Sequence, residues 1–401
     1  MGAKRGQNED SIYFDSAREC WVVAISLGRG EDGRRRRVTR TAKSRTEARQ
    51  KLKALRATID SGLPPPDGRL TVGQFLDRWL RLDVPGSVTR GTADRQGDLV
   101  RLHIAPAIGS KLLTSLTVAE VNKLWADKRE RGYSANTIRL MRSCLRRALG
   151  QAEREGLVAR NVAALSNPIR IPRGEGRSLT VDQAQAMLAA AGGDRLEACY
   201  LLLLAYGLRR GEALALKWGD IDFDAGTISI RRGLTRVKVQ PGPDGVLPGG
   251  RKWQLIFTEL KTARSRRILL LTDSLSGALR EHRLRQAIER DTAGALWQEG
   301  DLVFPSVVGT PLDPDNFNGM FSRLCQRAGL GHWHPHELRH SGASIMLALG
   351  TPLHVVSEIL GHSSIAITKD VYGHLVAGEK KAAAEAMSAV LLGEGQVGRS
   401  T

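Results

Sequence analysis

Two stretches rich in proline and glycine divide this chain of 401 residues and constrain its fold more than any other feature. They are SGLPPPDGRL at 61–70 and NPIRIPRGEGR at 167–177. Proline stiffens a linker and glycine interrupts a helix, so neither stretch can continue a regular element. We therefore predict three domains joined by two linkers, a number that suits this length. The predicted domains are 1–62, 71–166 and 178–392, with linkers at 63–70 and 167–177 and a flexible tail at 393–401.

The first segment alternates short β-forming runs with turn residues. The runs are SIYFD, CWVVAISLG and RRRRVTRT, and a helix that begins near Ser44 follows them. This pattern predicts a small three-stranded sheet with one helix. A β-ribbon fits the major groove of DNA, so the arginines of the third run are candidates for DNA binding. They are Arg34, Arg35, Arg36, Arg37 and Arg40; a charged hairpin edge that resists aggregation is the alternative.

The second segment is predicted to be helical throughout. Thr71 with Gln74, and Thr117 with Glu120, stand in capping-box positions at the starts of two helices. Farther along, SANTIRLMRSCLRRALGQAEREGL repeats apolar residues at helical spacing with arginines between them. Such a helix lies between a core and a phosphate backbone, or simply has a solvated face, and the pattern alone favours neither.

The balance of charge points to a polyanionic partner. The chain has 60 Lys and Arg against 42 Asp and Glu, a formal net charge of +18. A surplus of this size favours nucleic acid, because binding releases condensed counterions. The four cysteines are far apart and form no C-x-x-C pair, which indicates reduced thiols in a cytoplasmic protein. The sequence has no apolar run near membrane-spanning length, so no membrane partner is expected.

The third segment contains HELRH at 336–340, which fits two kinds of site. As a zinc-peptidase signature, His336 and His340 would bind Zn²⁺, Glu337 would activate water, and Glu358 could be a third ligand. The fourth letter, Arg339, adds a positive charge beside the metal, which is unfavourable. For a phosphate the same guanidinium is favourable, since it pairs with two oxygens.

Three other stretches of this segment carry polar residues of interest. Arg209 and Glu212 stand three residues apart in YGLRRGEALALKWGDID, Lys261 lies in ELKTARSRRILLL, and LGHSSIAITKDVYGH contains His362 and Tyr372. Each has an ordinary structural explanation, such as a helical ion pair, a lysine at a hairpin edge or a surface tyrosine. Three strands between helices are expected in this segment, at TISIRRG, WQLIFTE and RRILLLT.

In this order and spacing, GLRRGE, LKTARSRR, HELRH and LGHSSIAITKDVYGH resemble the tyrosine recombinase (phage integrase) family. The helical stretch 132–163 and the basic first segment resemble it too, so the likeness covers about residues 10 to 376. It departs at ARNVA and in the long loop VQPGPDGVLPGGRKW. The resemblance implies a multidomain α+β fold. Its parts are an arm-type DNA-binding domain, an all-helical core-binding (SAM-like) domain, and a mainly α catalytic domain with a small antiparallel sheet.

The resemblance also implies a site for metal-independent cleavage and rejoining of DNA. Tyr372 would be the nucleophile and form a 3′-phosphotyrosyl bond. Arg209 and Arg339 would stabilise the charge that develops on the non-bridging oxygens. Within HELRH, Glu337 becomes a bystander and His340 a structural neighbour.

The remaining residues of the implied site handle protons or support an arginine. Lys261 would protonate the departing 5′ oxygen. His336 and His362 would donate or shuttle protons at the same phosphate, and Glu212 would orient Arg209. No metal and no other cofactor is implied.

The partners implied by the resemblance are double-stranded DNA, at core-type and arm-type sites, and further copies of the chain. A homotetramer would exchange strands in pairs, helped by accessory DNA-bending and directionality (excisionase) proteins. The stretch EKKAAAEAMSAVLL at 379–392 would form a helix that packs on a neighbouring subunit, and a helix docked on its own domain is the alternative. The expected function is integration and excision of a phage genome or mobile element at the nucleoid of a bacterial host. A zinc metallopeptidase built on HELRH is the alternative.

Overall fold

The computed structural model describes residues 11–29, 35–60, 69–171, 177–239, 247–260, 265–372 and 387–388. Contacts within the chain define two compact units, Met1–Pro172 and Arg173–Thr401. Their boundary falls within the second predicted linker, whereas the finer division into three domains stays a prediction. Across the described ranges, no helix has both the length and the apolar character needed to cross a bilayer.

The first unit begins with an antiparallel sheet in the order β1-β2-β3. Its strands are β1 (Ser11–Asp15), β2 (Cys20–Arg29) and β3 (Arg35–Ala42), and helix α1 (Arg45–Asp60) follows. Val23 of β2, Ala42 of β3 and Ala48 of α1 are fully or almost fully buried in one small core, so the helix covers one face of the sheet. The predicted three-stranded sheet with one helix is confirmed.

The rest of the first unit is helical, as predicted. Its helices are α2 (Val72–Leu82), α3 (Arg90–Leu99), α4 (Ala105–Ile108), α5 (Val118–Glu130), α6 (Ala135–Arg154) and α7 (Val162–Leu165), with a π-helical stretch, Val100–Ile104, between α3 and α4. Both predicted capping boxes form: Thr71 accepts a hydrogen bond from the Gln74 amide and Thr117 accepts one from Glu120. These caps satisfy amides that the first turn of a helix leaves unpaired.

Helix α6 runs through the centre of this helical bundle. Ile138, Met141, Leu145 and Leu149 are each at most 1% exposed and pack with Phe75 and Trp79 of α2. Two arginines between them make structural contacts: Arg142 donates to the Ser166 carbonyl over 2.8 Å, and Arg147 donates to the Ser87 hydroxyl. At these two positions the arginines therefore support the bundle itself.

The second unit begins with helices, continues with short strands and ends with helices. The helices are α8 (Val181–Ala190), α9 (Glu197–Ala205), α10 (Arg210–Leu214), α11 (Asp273–Ala293), α12 (Pro314–Arg327), α13 (Pro335–Ala348), α14 (Leu353–Leu360) and α15 (Ile365–Tyr372). Their shared core includes the fully buried rings of Tyr200, Phe304, Phe317 and Phe321. The mainly α architecture with small antiparallel sheets agrees with the prediction.

The described strands of the second unit form two sheets, where the sequence predicted one small antiparallel sheet. Strands β4 (Ile221–Asp222), β5 (Thr227–Ile230) and β8 (Arg267–Leu270) make one sheet, and β6 (Arg232–Lys238) with β7 (Trp253–Glu259) makes a hairpin. The β6 backbone lies close against α10. A Cβ on Gly211 of α10 would come within 2.7 Å of the Leu234 carbonyl oxygen of β6. The hairpin is therefore held by α10 and does not extend the first sheet.

Candidate active site

Helix α13 carries the HELRH stretch, and its position is set by a cap and a close contact. The Glu337 carboxylate accepts a hydrogen bond from the His334 amide over 2.7 Å, which closes the first turn. A Cβ on Gly342 would lie 2.2 Å from the Leu204 carbonyl oxygen, so only glycine lets α13 approach α9 this closely. Glu337 thus has a structural task at the start of α13.

Arg339 is buried inside the second unit and is held by backbone carbonyls. Its guanidinium donates to the Gly207 oxygen over 2.7 Å and to the Leu360 oxygen over 2.8 Å, with 3% of the residue exposed. Within the part of the chain that the structure describes, no carboxylate forms an ion pair with it. Burial, followed by repulsion from Arg209, lowers the pKa of Arg339 to about 9, so it stays charged at neutral pH.

Arg209 and Arg267 share one buried carboxylate, that of Glu212. Arg209 Nη1 donates to Oε1 over 2.6 Å and Arg267 Nη2 donates to Oε2 over 3.0 Å. Burial acts to raise the pKa of Glu212, but the charges and hydrogen bonds of the two guanidiniums lower it below its ordinary value. The predicted pairing of Glu212 with Arg209 is present. The role of Arg267 could not be read from the sequence, because Arg266 stands beside it in the same basic run.

The three guanidiniums converge on the carboxyl end of α14. Arg267 Nε donates to the Ile359 oxygen over 2.6 Å, Arg339 Nη2 to the Leu360 oxygen over 2.8 Å and Arg209 Nη2 to the Gly361 oxygen over 3.4 Å. Carbonyls at a helix end lack helical partners and carry the negative end of the helix dipole. They hold the cations together without neutralising them, and this leaves a strongly positive site.

His362 follows immediately, after a left-handed Gly361 that ends α14. Its Nδ1 lies 2.8 Å from the Thr368 hydroxyl of α15. Burial, then the charges of Arg339 and Arg209, lowers the pKa of His362 to about 4. The imidazole is therefore neutral at neutral pH, with one nitrogen carrying a proton that it can donate.

Tyr372 at the end of α15 is buried, with 3% of its surface exposed. Its hydroxyl oxygen lies 2.7 Å from Nδ1 of His340. Burial, only partly opposed by Arg339, raises the pKa of Tyr372 to about 12. His336 is exposed on α13, and its ring meets that of His340 edge-on at 5.0 Å. The sequence predicted a structural role for His340. Its position one helical turn from His336, on the same face of α13, was the signal that could have placed it in the site.

Several predicted site residues lie outside the described residues or are described only in part. Lys261 and Arg34 lie outside them. Of Arg35, Arg36 and Arg37 the structure describes the backbone within β3. Arg40 pairs with Val23 of β2, so it belongs to the face of the sheet that packs on α1. The predicted helix at 379–392 is described only at 387–388, where it is helical.

The zinc interpretation of HELRH has no support in this arrangement. Among the described residues, no three His, Cys, Asp or Glu side chains gather in a group that could hold a metal ion. Glu337, which would have to activate water, is engaged by the His334 amide. His340, which would be a ligand, directs Nδ1 to the Tyr372 hydroxyl.

The fold is that of DNA integrases of known structure. The Tn1549 transposon integrase in complex with a circular intermediate DNA matches with a TM-score of 0.65, at 21% identity, over 79% of this chain and 99% of that one. A lambda integrase tetramer bound to a Holliday junction matches with a TM-score of 0.54, at 19% identity, over 92% of this chain and 96% of that one.

Sequence comparison gives the family. The profile of the phage integrase family matches residues 177–379. An integrase of Streptomyces ambofaciens is 30% identical over 93% of this chain and 94% of its own length. A XerC-like tyrosine recombinase of Caldanaerobacter subterraneus subsp. tengcongensis is 28% identical over 94% of this chain and 97% of its own. The chain therefore belongs to the phage integrase family and is a site-specific recombinase of the tyrosine type, as the resemblance in its motifs predicted.

Proposed function

We propose that the chain cleaves and rejoins DNA strands through Tyr372. The observation that carries this proposal is the convergence of Arg209, Arg267 and Arg339 in the same unit that places a buried tyrosine beside a histidine. A phosphodiester is an anion, and its charge increases on the non-bridging oxygens as a nucleophile attacks. Fixed guanidiniums stabilise that charge without reorganisation, which is the largest contribution to many such reactions.

The proposed reaction transfers a phosphoryl group twice. The Tyr372 hydroxyl oxygen forms a bond to phosphorus, the bond from phosphorus to the 5′ oxygen breaks, and a 3′-phosphotyrosyl ester results. Rejoining is the reverse, with a 5′ hydroxyl as nucleophile, so the energy of the bond is conserved. We assign the proton for the departing 5′ oxygen to Lys261, and further proton donation at the phosphate to His336 and His362.

The positions of the supporting residues agree with these roles. Glu212 holds Arg209 by two contacts: its carboxylate accepts from the guanidinium over 2.6 Å and from the backbone amide over 3.0 Å. We add Arg267 as a third cation of the site, because the same carboxylate accepts a hydrogen bond from its guanidinium. The neutral state of His362 suits a proton donor that must not repel the neighbouring arginines.

The proposed partners are double-stranded DNA and other copies of this chain. The neighbours in fold include integrases in complex with DNA and a tetramer on a Holliday junction. We propose that this chain also works as a tetramer on core-type sites, with the sheet of the first 62 residues reading arm-type sites. Accessory bending and directionality proteins, and action at the bacterial nucleoid on a phage or mobile element, complete the proposal.

Covalent trapping on DNA tests this function. The full chain would be incubated with a suicide substrate, a core site nicked so that the cleaved fragment diffuses away. We expect a protein–DNA adduct that resists denaturant, and we expect Tyr372→Phe to abolish it while the variant still binds the site. An adduct that persists in the Phe variant would exclude Tyr372 as the nucleophile.

A further inference from the structure

The Tyr372 hydroxyl has a specific hydrogen-bond partner, and that partner is His340. Nδ1 of His340 and the tyrosine oxygen are 2.7 Å apart, and the two rings are tilted by 51° at a centroid distance of 5.8 Å. Within the described residues this is the hydrogen bond that the hydroxyl makes. The resemblance to the family assigns proton handling to His336 and His362 and gives His340 no part in the chemistry.

The surroundings of Tyr372 make this contact selective. The tyrosine ring packs in a small apolar cluster with Ala343, Leu347, Val356 and Leu360. An apolar wall offers no acceptor for the phenolic proton, so the proton must go to a polar group at the rim of the cluster. His340 is half-buried at that rim and presents a nitrogen to the oxygen.

The surroundings of the hydroxyl give the direction of the hydrogen bond. Burial, then the charge of Arg339, lowers the pKa of His340, so its imidazole is neutral at neutral pH. The apolar cluster offers the phenolic proton no other acceptor among the described residues, so Nδ1 accepts that proton with its lone pair and Nε2 carries the imidazole proton. The charged and titratable groups that act on this imidazole are Arg339, His336 and Glu337 of α13, His362 beyond α14, and Tyr372 of α15.

We propose that His340 is the proton acceptor for Tyr372 during strand cleavage, an inference that rests on the function proposed above. As the tyrosine oxygen bonds to phosphorus, its proton passes to Nδ1 of His340, which becomes an imidazolium. The electron pair of the broken bond leaves with the 5′ oxygen, which takes a proton from Lys261. In rejoining, the imidazolium returns its proton to the tyrosine oxygen as that oxygen departs from phosphorus.

The pKa shifts of the two groups explain why the proton is not transferred from Tyr372 to His340 in the absence of DNA. The phenol has a raised pKa and the imidazole a lowered one, so the proton stays on oxygen in the free site. Attack on phosphorus removes the basicity of the oxygen, and the proton then moves to the stronger base. The negative charge of a bound phosphate also offsets Arg339, which raises the proton affinity of His340 at that moment.

The test measures single-turnover adduct formation on the suicide substrate. His340→Asn leaves a polar atom near the position of Nδ1 that can accept a hydrogen bond but not a proton. We expect the rate of adduct formation to fall about 10²- to 10⁴-fold, the usual size of a general-base contribution, with DNA binding unchanged. His354→Asn, an exposed histidine on α14, is the matched control and should keep the wild-type rate.

A rescue separates proton transfer from positioning. Replacing Tyr372 by a fluorinated tyrosine makes the phenol more acidic, so it needs less help from a base. The loss in the His340→Asn background should then shrink at least tenfold relative to the loss with ordinary tyrosine. His340→Gln serves as a second variant, and thermal melting shows which variants fold.

Each outcome bears on this inference separately from the proposed function. A wild-type or faster rate in folded His340→Asn and His340→Gln overturns the inference, and so does a deficit that fluorination leaves unchanged. If Tyr372→Phe abolishes the adduct in the same series, the proposed function survives that result. If Tyr372→Phe still forms the adduct, the proposed function itself fails.

Discussion

Glu212 is the residue on which two of the site's cations depend. Its carboxylate is 2% exposed and binds Arg209 and Arg267, one through each oxygen. Removing one partner from a buried ion pair leaves an uncompensated charge and costs about 3–5 kcal/mol. The carboxylate thus contributes to stability and to the placement of the guanidiniums at once.

We expect Glu212→Gln to lower the free energy of unfolding by about 3–5 kcal/mol at neutral pH. The folded-state pKa of Glu212 lies below its ordinary value of 4.5, so its contribution is fully present above that pH and is lost as pH falls towards the folded-state pKa. Urea unfolding from pH 7 down to pH 4 should show the difference between wild type and variant narrowing at the acid end.

The control for this series is Glu281→Gln. Glu281 pairs with Arg285 on the surface, with 68% of its side chain exposed, and its loss should cost well under about 1 kcal/mol. A deficit in Glu212→Gln that stayed constant down to the lowest pH would contradict a charge-based role for this carboxylate.

Among the individual residues of the site, the sequence predicted the pair of Arg209 and Glu212. Their contact is local, because the two residues are three positions apart at the start of one helix. It could not predict Arg267 or the contact between His340 and Tyr372. Those contacts join β8 to α10 and α15 to α13, over 55 and 32 residues respectively. Only tertiary packing brings such groups together, and neither motif spacing nor helical period encodes it.

Among the elements, the contact of α13 with α9 positions the site most directly. Helix α13 carries His336, Arg339 and His340, and it crosses α9 where Gly342 faces the Leu204 carbonyl. A larger side chain at this crossing would push the two helices apart. The distances from Arg339 to the Gly207 and Leu360 carbonyls would change with them.

Gly342→Ala should therefore destabilise the protein and slow strand cleavage. Its Cβ would lie 2.2 Å from backbone oxygen, and overpacking of this kind costs typically about 1–3 kcal/mol. Gly319→Ala on α12 is the matched control. Its Cβ would meet only the far end of Arg323 at 3.8 Å, so we expect a gain of about 0.5–1 kcal/mol from helix propensity. Urea unfolding and adduct formation are the measurements, and equal behaviour of the two variants would contradict the argument.

The elements that the sequence predicted well are those with local signals. Thr71 and Thr117 begin helices as expected, because a cap needs only the next three residues. The pairing of strands was not predictable in the same way. Strand β5 pairs with β8 across the 42 residues that lie between Thr227 and Leu270, and nothing local distinguishes that partner from β7.

For the whole molecule, the formal charge of +18 predicts how it holds DNA. If the chain contacts six to ten phosphates, its affinity for a duplex of arbitrary sequence should fall roughly 10³- to 10⁵-fold between about 50 and about 200 mM salt. Fluorescence anisotropy across a salt series measures this. A duplex with an uncharged methylphosphonate backbone is the control and should bind weakly at every salt concentration; equal salt dependence on both duplexes would argue against counterion release.

The carboxyl end of α14 gathers three guanidiniums. Among the described residues one carboxylate, that of Glu212, pairs with two of them, Arg209 and Arg267, and no carboxylate pairs with Arg339. Mutual repulsion in this group acts against the fold as long as no anion is present. A phosphate placed among the three guanidiniums would act as their counter-ion and offset their positive charge. The second unit should then be held together more firmly with its substrate than without it, so the reacting phosphate is also a temporary part of the protein's own architecture.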